Sequence, residues 1–167
     1  PRVFFRDVRK FGKVQLLLPG ESSKRLENLG RDALELTGNY LHAVTRRRKV
    51  AIKTILLNQR VVAGVGNIYA DESLFLSGIR PTRRALRLTR SDCTRLAKEI
   101  RAVMLRSIET GGSSIRDYIS PDGKDGGYQD ERRVYARTGE SCLDCNTSIK
   151  RFLVGQRSSH YCPQCQK

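Results

Sequence analysis

The stretch CLDCNTSIKRFLVGQRSSHYCPQC, residues 142–165, decides how the last part of this chain folds. Cys142 and Cys145 form one CxxC pair, Cys162 and Cys165 form a second, and residues 146–161 separate them. Each CxxC bends so that two thiolates grip one side of a tetrahedral ion. Four sulfurs close the coordination shell, so the spacing predicts one structural Zn2+ with no open position for water activation. A segment this short loses its fold when the metal is removed. The competing reading is two chance pairs that form disulfides or lie free. The chain has five cysteines, an odd number that suits a metal in a reducing compartment better than a disulfide framework, and Cys93 is left as a free structural thiol. Between the pairs, Lys150, Arg151, Gln156, Arg157, Ser158, Ser159 and His160 fall on an expected β-hairpin. Its rigid basic tip suits nucleic-acid phosphates, and a plain solvated face is the alternative.

Upstream, from about residue 26 to 110, apolar residues recur at helical spacing. Thr37 can cap a helix carrying Tyr40, Leu41 and Val44, and a second helix with Ile52, Ile55 and Leu56 ends near Asn58. After Gly64 and Gly66, Asn67 or a neighbour starts a third helix that Gly78 and Pro81 stop. Ser91 is the expected cap of a long amphipathic helix with Leu96, Ile100, Val103, Met104 and Ile108, ended by Gly111 and Gly112. Residues 2–18 read as β-rich stretches around a charged break, which two short strands cannot sustain without a larger sheet. The Gly- and Ser-rich run at 113–133 is too long for a simple connection.

The 167 residues carry 32 Lys and Arg against 17 Asp and Glu, a net charge of +15, which points to a polyanionic partner. With 38% apolar residues and a mean hydropathy of −0.49, the chain can bury a core. No run approaches the ~18 apolar residues a membrane crossing needs, so neither membrane insertion nor Sec export is expected. Arg46, Arg47, Arg48, Lys49 and Lys53, then Arg80, Arg83, Arg84, Arg87 and Arg90, form two basic clusters, and their plausible joint role is phosphate neutralisation. Gly64-Val65-Gly66 lacks the third glycine of a dinucleotide loop; it reads as a tight turn or as a helix N-terminus whose amides meet one phosphate beside Asn67. On spacing alone Phe11 reads as an ordinary core aromatic.

Asn58-Gln59, then Val62-Ala63-Gly64-Val65-Gly66-Asn67-Ile68-Tyr69-Ala70-Asp71-Glu72, then Gly111-Gly112-Ser113-Ser114, then the cysteine pairs with Gln166-Lys167, occur in the order found in the bacterial formamidopyrimidine-DNA glycosylases. The chain resembles that family from about residue 2 to its last residue. The resemblance implies a mainly α fold: residues 1–20 the remnant end of an N-terminal β-sandwich, 21–132 a helix–two-turn–helix DNA-binding domain with a lesion-capping loop at 113–127, and 133–167 a β-hairpin zinc finger with four cysteine ligands. It implies a parent enzyme that is a bifunctional glycosylase/AP lyase of base-excision repair, removing oxidised purines such as 8-oxoguanine and formamidopyrimidines by base flipping and Schiff-base chemistry.

In the family a Pro-Glu start supplies the nucleophile; here Pro1 precedes Arg2, so Pro1 is read as an interior residue and this chain alone as inactive. By resemblance Arg9 fills the space left by the flipped base and Phe11 is the intercalating wedge, which reverses the reading of Phe11 from spacing. Arg48, Lys53, Asn67 and Arg157 align with residues holding phosphates around the lesion, and Arg157 also with the proposed proton donor of δ-elimination. Ser113, Ser114, Ile115, Arg116, Asp117 and Tyr118 align with the loop that closes over the everted base. The implied partner is double-stranded DNA containing oxidised bases or abasic sites. The implied protein is a monomer, bacterial, cytoplasmic and nucleoid-associated. Two alternatives remain at this point: an endonuclease VIII-like glycosylase for oxidised pyrimidines, and a standalone zinc-ribbon nucleic-acid module.

Overall fold

The computed structural model describes residues 5, 7, 12–113 and 126–167. Five α-helices, two short parallel strands and one antiparallel hairpin are seen among them: α1 Lys24–Glu27, β1 Arg31–Asp32, α2 Gly38–Thr45, α3 Ile52–Leu56, β2 Val62–Ala63, α4 Asn67–Leu76, α5 Arg90–Glu109, β3 Lys150–Val154 and β4 Arg157–Tyr161.

Thr37 caps α2, its side chain accepting from the Tyr40 N–H at 3.3 Å. The cap of α5 is Thr89, not Ser91. Thr89 Oγ1 accepts from the Asp92 N–H at 3.1 Å while Asp92 Oδ2 accepts from the Thr89 N–H at 3.0 Å. Asp92 stands three positions after Thr89 and closes this reciprocal box, whereas Thr94 stands three after Ser91 and offers no carboxylate. Along α5, Cys93, Leu96, Ala97, Ile100 and Val103 face inward at three- and four-residue spacing, and the helix packs against α2 and α4. The first four of these residues form the main core with Leu41, Ile52, Ile55, Leu56 and Leu74, while Val103 packs with Ile68 and Tyr128 in a small separate cluster.

A second, smaller core holds Phe75, Val134, Cys142, Ile149 and Cys162. Leu74 and Phe75 are neighbours on α4, about 100° apart around its axis, so that one helix supplies both cores. Between β3 and β4 only Gly155 and Gln156 remain, both with positive φ (53° and 62°), which matches the twist of a two-residue hairpin.

The β-strand expected within residues 2–18 is not formed over 12–18. Val14 and Leu16 are 80% and 85% exposed, and no described strand pairs with them, so the ladder a strand needs is missing. At 113–127, Ser113 bridges Gly127 and the Tyr128 N–H donates to Gly112 O at 3.1 Å, so the two ends of the loop meet. A Cβ on Gly126 would lie 2.2 Å from Gly112 O, so only glycine fits this approach.

Candidate nucleic-acid interface and metal centre

The Sγ atoms of Cys142, Cys145, Cys162 and Cys165 lie within 4.8 Å of one another. The separations 3.4 Å (Cys145–Cys162), 3.4 Å (Cys145–Cys165) and 3.9 Å (Cys142–Cys165) are far beyond a disulfide bond and close to the ~3.8 Å edge of a tetrahedron with 2.3 Å Zn–S bonds. All five cysteines are free thiols, and Cys93 is buried in the main core. Four thiolates around one point fit a single structural Zn2+, which when bound holds the ribbon closed and leaves no coordination site for water.

The ribbon is seated on the helical body through buried charge. Lys53, on α3, and Asp71, on α4, both have fully buried side chains and form an ion pair at 2.5 Å. Lys53 Nζ also donates to Ser158 O at 2.7 Å and Ser159 Oγ at 2.8 Å. Asp71 Oδ2 accepts from the His160 backbone N–H at 2.9 Å. Burial pushes the Lys53 ammonium below its ordinary value and the Asp71 charge opposes that shift. The next residue on α4, Glu72, accepts from the backbone N–H groups of Arg133 (2.8 Å), Val134 (3.0 Å) and Tyr135 (2.8 Å). At the far end, the Gln166 side chain bridges Cys162 N–H and Ile79 O, and the Lys167 N–H donates to Gly78 O.

Lys53 therefore differs from its expected role as a phosphate contact. Its ammonium is buried in an ion pair with Asp71 and donates to Ser158 O and Ser159 Oγ, all inside the protein. The sequence carried no sign of this, because its partners lie up to 106 residues away.

Asn67 and Arg157 line one groove. An open groove of about 490 Å³ is lined by Thr54, Asn58, Gln59, Gly66, Asn67 and Arg157, among others. Asn67 opens α4 and its Nδ2 donates to Ser158 O at 3.0 Å, the same carbonyl that Lys53 holds. Gly66 caps α4 without a side-chain bond, so the N-terminus of α4, which borders the groove, has no side-chain acceptor from its cap. Gln59 shapes the turn before it, accepting from the Gly64 N–H at 2.9 Å and donating to Val65 O at 3.0 Å, a role the sequence reading did not assign. Gly64, at φ 93°, takes the left-handed conformation that the turn requires. Arg157 is exposed on the first residue of β4. Asn67, with two amide protons, and Arg157, with a planar fork of donors, thus bring hydrogen-bond donors to the lining of one groove.

Arg48 does not line this groove; it lies beyond the N-terminus of α3, where its carbonyl accepts from the Leu86 N–H at 3.0 Å. Ser113 is placed at the base of its loop. Arg9, Phe11, Ser114, Ile115, Arg116, Asp117 and Tyr118 lie outside the described residues. No helix among the described residues is long and apolar enough to cross a membrane.

Two family models match: the formamidopyrimidine-DNA glycosylase H2TH domain over residues 29–119, and the zinc finger found in FPG and IleRS over 139–167. The chain is 46% identical over 164 residues to the formamidopyrimidine-DNA glycosylase of Thioalkalivibrio sulfidiphilus, covering 96% of this chain and 60% of the relative. It is 46% identical over 165 residues to that of Solibacter usitatus, covering 99% and 62%. The chain thus spans about three-fifths of the length of these relatives. Among solved structures, the MutM (Fpg) protein of Thermus thermophilus superposes with a TM-score of 0.80 at 39% identity, over 84% of this chain and 55% of that one. A complex of the Lactococcus lactis Fpg with DNA containing an abasic site gives a TM-score of 0.79 at 36% identity, over 86% and 53%. The helical body and the four-cysteine ribbon are those of a known line of proteins: the chain belongs to the formamidopyrimidine-DNA glycosylase family.

Proposed function

We propose that these residues are the DNA-gripping part of a bifunctional DNA glycosylase/AP lyase that excises oxidised purines, including 8-oxoguanine and formamidopyrimidines. The observation that carries the reading is the groove in which Asn67, from the helical body, and Arg157, from the ribbon, are registered on one another through Ser158 O. Two donors converging from separate units suit a phosphate pinched out of line, the distortion that lets a damaged nucleotide leave the stack. The partner is double-stranded DNA carrying an oxidised base or an abasic site. The solved relatives support this, since the Lactococcus lactis protein is seen with abasic-site and Fapy-dG DNA.

Arg157 acts in this reading chiefly as a clamp, because a guanidinium with a pKa above ~12 is a poor proton donor at neutral pH. The Schiff-base amine of the whole enzyme is not Lys53, whose ammonium is fully buried and held by Asp71, Ser158 and Ser159. Arg9 and Phe11 are assigned to filling the gap left by the flipped base, and the segment from Ser113 through Tyr118 to covering it. The functional division runs 1–20, 21–132 and 133–167, and the Glu72 contacts to residues 133–135 support the second seam. The protein works as a monomer in the bacterial cytoplasm, on nucleoid DNA.

The test is a gel-shift titration with a duplex containing an abasic site, run beside borohydride trapping. The wild-type chain should shift the abasic duplex without a covalent adduct. Arg157→Ala should weaken the shift and lower the salt slope by about 0.9, the signature of one lost phosphate contact. An unchanged slope would remove Arg157 from the clamp, and a trapped adduct would place a working nucleophile within these residues.

A further inference from the structure

Two basic runs that are far apart in sequence are held side by side at the N-terminal end of α3. The Leu86 N–H donates to Arg48 O at 3.0 Å, the Ala85 N–H to Val50 O at 2.9 Å and the Ile52 N–H to Arg83 O at 2.8 Å, and Ala51 and Arg84 form an antiparallel bridge. Arg46, Arg47, Arg48 and Lys49 are thereby set alongside Arg84, Arg87 and Arg90. Between residues 80 and 92 the only carboxylate is Asp92, and it is taken by Arg83 at 3.0 Å and Arg95 at 2.8 Å. The seven remaining cations have no ion pair among the described residues, and all but half-buried Arg48 are exposed. Packing like charges together costs stability unless counterions neutralise them. Arg46, Arg87 and Arg90 also border an open groove of about 710 Å³ with His42. Partial burial and the charges of Arg90 and Arg46 push His42 below the ordinary imidazole range, in keeping with a positive field there.

We infer that this double row of cations is a second DNA contact, which grips the phosphate backbone of the duplex outside the lesion pinch and reads neither damage nor sequence. The inference rests on the reading of the chain as a DNA-binding unit. The two contacts stand at opposite ends of α3, whose five residues advance about 7.5 Å. At 3.4 Å per nucleotide along a strand, that is about two nucleotides, so one duplex can meet both. Cations that touch only backbone contribute equally to damaged and undamaged DNA, whereas Asn67 and Arg157 belong to the distorted site.

The experiment measures affinity against salt for abasic and undamaged duplexes. The variants are wild type, the quadruple Arg47→Ala, Arg84→Ala, Arg87→Ala, Arg90→Ala, the same four sites changed to Lys, and a control lacking Lys24, Arg25, Lys98 and Arg101. Circular dichroism establishes that each is folded. The quadruple alanine variant should lose roughly 2 to 3 from the salt slope, weaken both duplexes by the same factor and keep their affinity ratio. The lysine variant and the control should keep the wild-type slope. An unchanged slope in the alanine variant, an equal loss in the control, or a changed abasic preference would overturn the second contact while leaving the lesion groove in place. Wild-type protein that binds neither duplex would overturn the DNA-binding reading and this contact with it.

Discussion

The helical body and the ribbon reach order by different physical routes. The body buries a continuous set of aliphatic side chains from α2, α3, α4 and α5. The ribbon has only Phe75, Val134, Ile149 and two of its own cysteines in its core, and Phe75 is borrowed from α4. One is stabilised by apolar area removed from water and the other by metal–sulfur bonds. What joins them is neither: it is a buried polar seam of Lys53, Asp71, His160 and Glu72. A buried pair of this kind adds little net stability over an apolar pair but is costly to break, which suits a joint that must hold one orientation.

The strongest way to separate the two regions is chelation. Removing zinc should unfold residues 139–167 while α2, α4 and α5 stay protected, read by hydrogen exchange segment by segment. Simultaneous loss of protection in α5 would show a single cooperative unit. Next in size, Lys53→Met strands Asp71 in the interior and should cost about 3–5 kcal/mol in urea unfolding. Lys53→Met, Asp71→Leu together should recover much of that loss yet still weaken DNA binding, because Ser158 O would be held by Asn67 alone.

A smaller effect is expected at Glu72. Glu72→Gln puts one neutral amide oxygen where a carboxylate served three N–H groups and should cost about 1–3 kcal/mol, with protection lost first around residues 133–135. The smallest effects belong wholly to the body. Thr89→Ala should cost about 1 kcal/mol without touching zinc affinity. Burial pushes the Asp92 carboxyl up, but the Thr89 hydrogen bonds and the charges of Arg83 and Arg95 outweigh it and hold the group below its ordinary value. A depressed carboxylate contributes stability above its unfolded pKa and loses it as pH falls through the folded one. The gap between wild type and Asp92→Asn should therefore be full at pH 7 and begin to close below about pH 3.9.

The same contrast explains what was legible in the sequence. The cysteine spacing, the Thr37 cap and the inward face of α5 are local patterns, and local patterns are written in consecutive residues. Even the misplaced α5 cap was readable: Thr89 with Asp92 is a box signature and Ser91 with Thr94 is not. Asn67 and Arg157 were each readable as phosphate-facing from their local surroundings, but their grouping came only through family likeness, since they stand 90 positions apart. Lys53 was misread for the opposite reason. Alignment implied a lysine facing phosphate, while the tertiary packing of β4 on α3 and α4 converts it into an internal tie.

One consequence follows from the fact that the acceptor shared by Lys53 and Asn67 is a main-chain carbonyl. The joint reads the path of the backbone and is blind to the side chain at 158, so that position is open to exchange without loosening the dock. A ribbon transplanted from a protein whose body lacks the lysine and the asparagine would chelate its metal and fold, yet point its arginine elsewhere. Swapping modules between lineages thus demands that the socket travel with the plug.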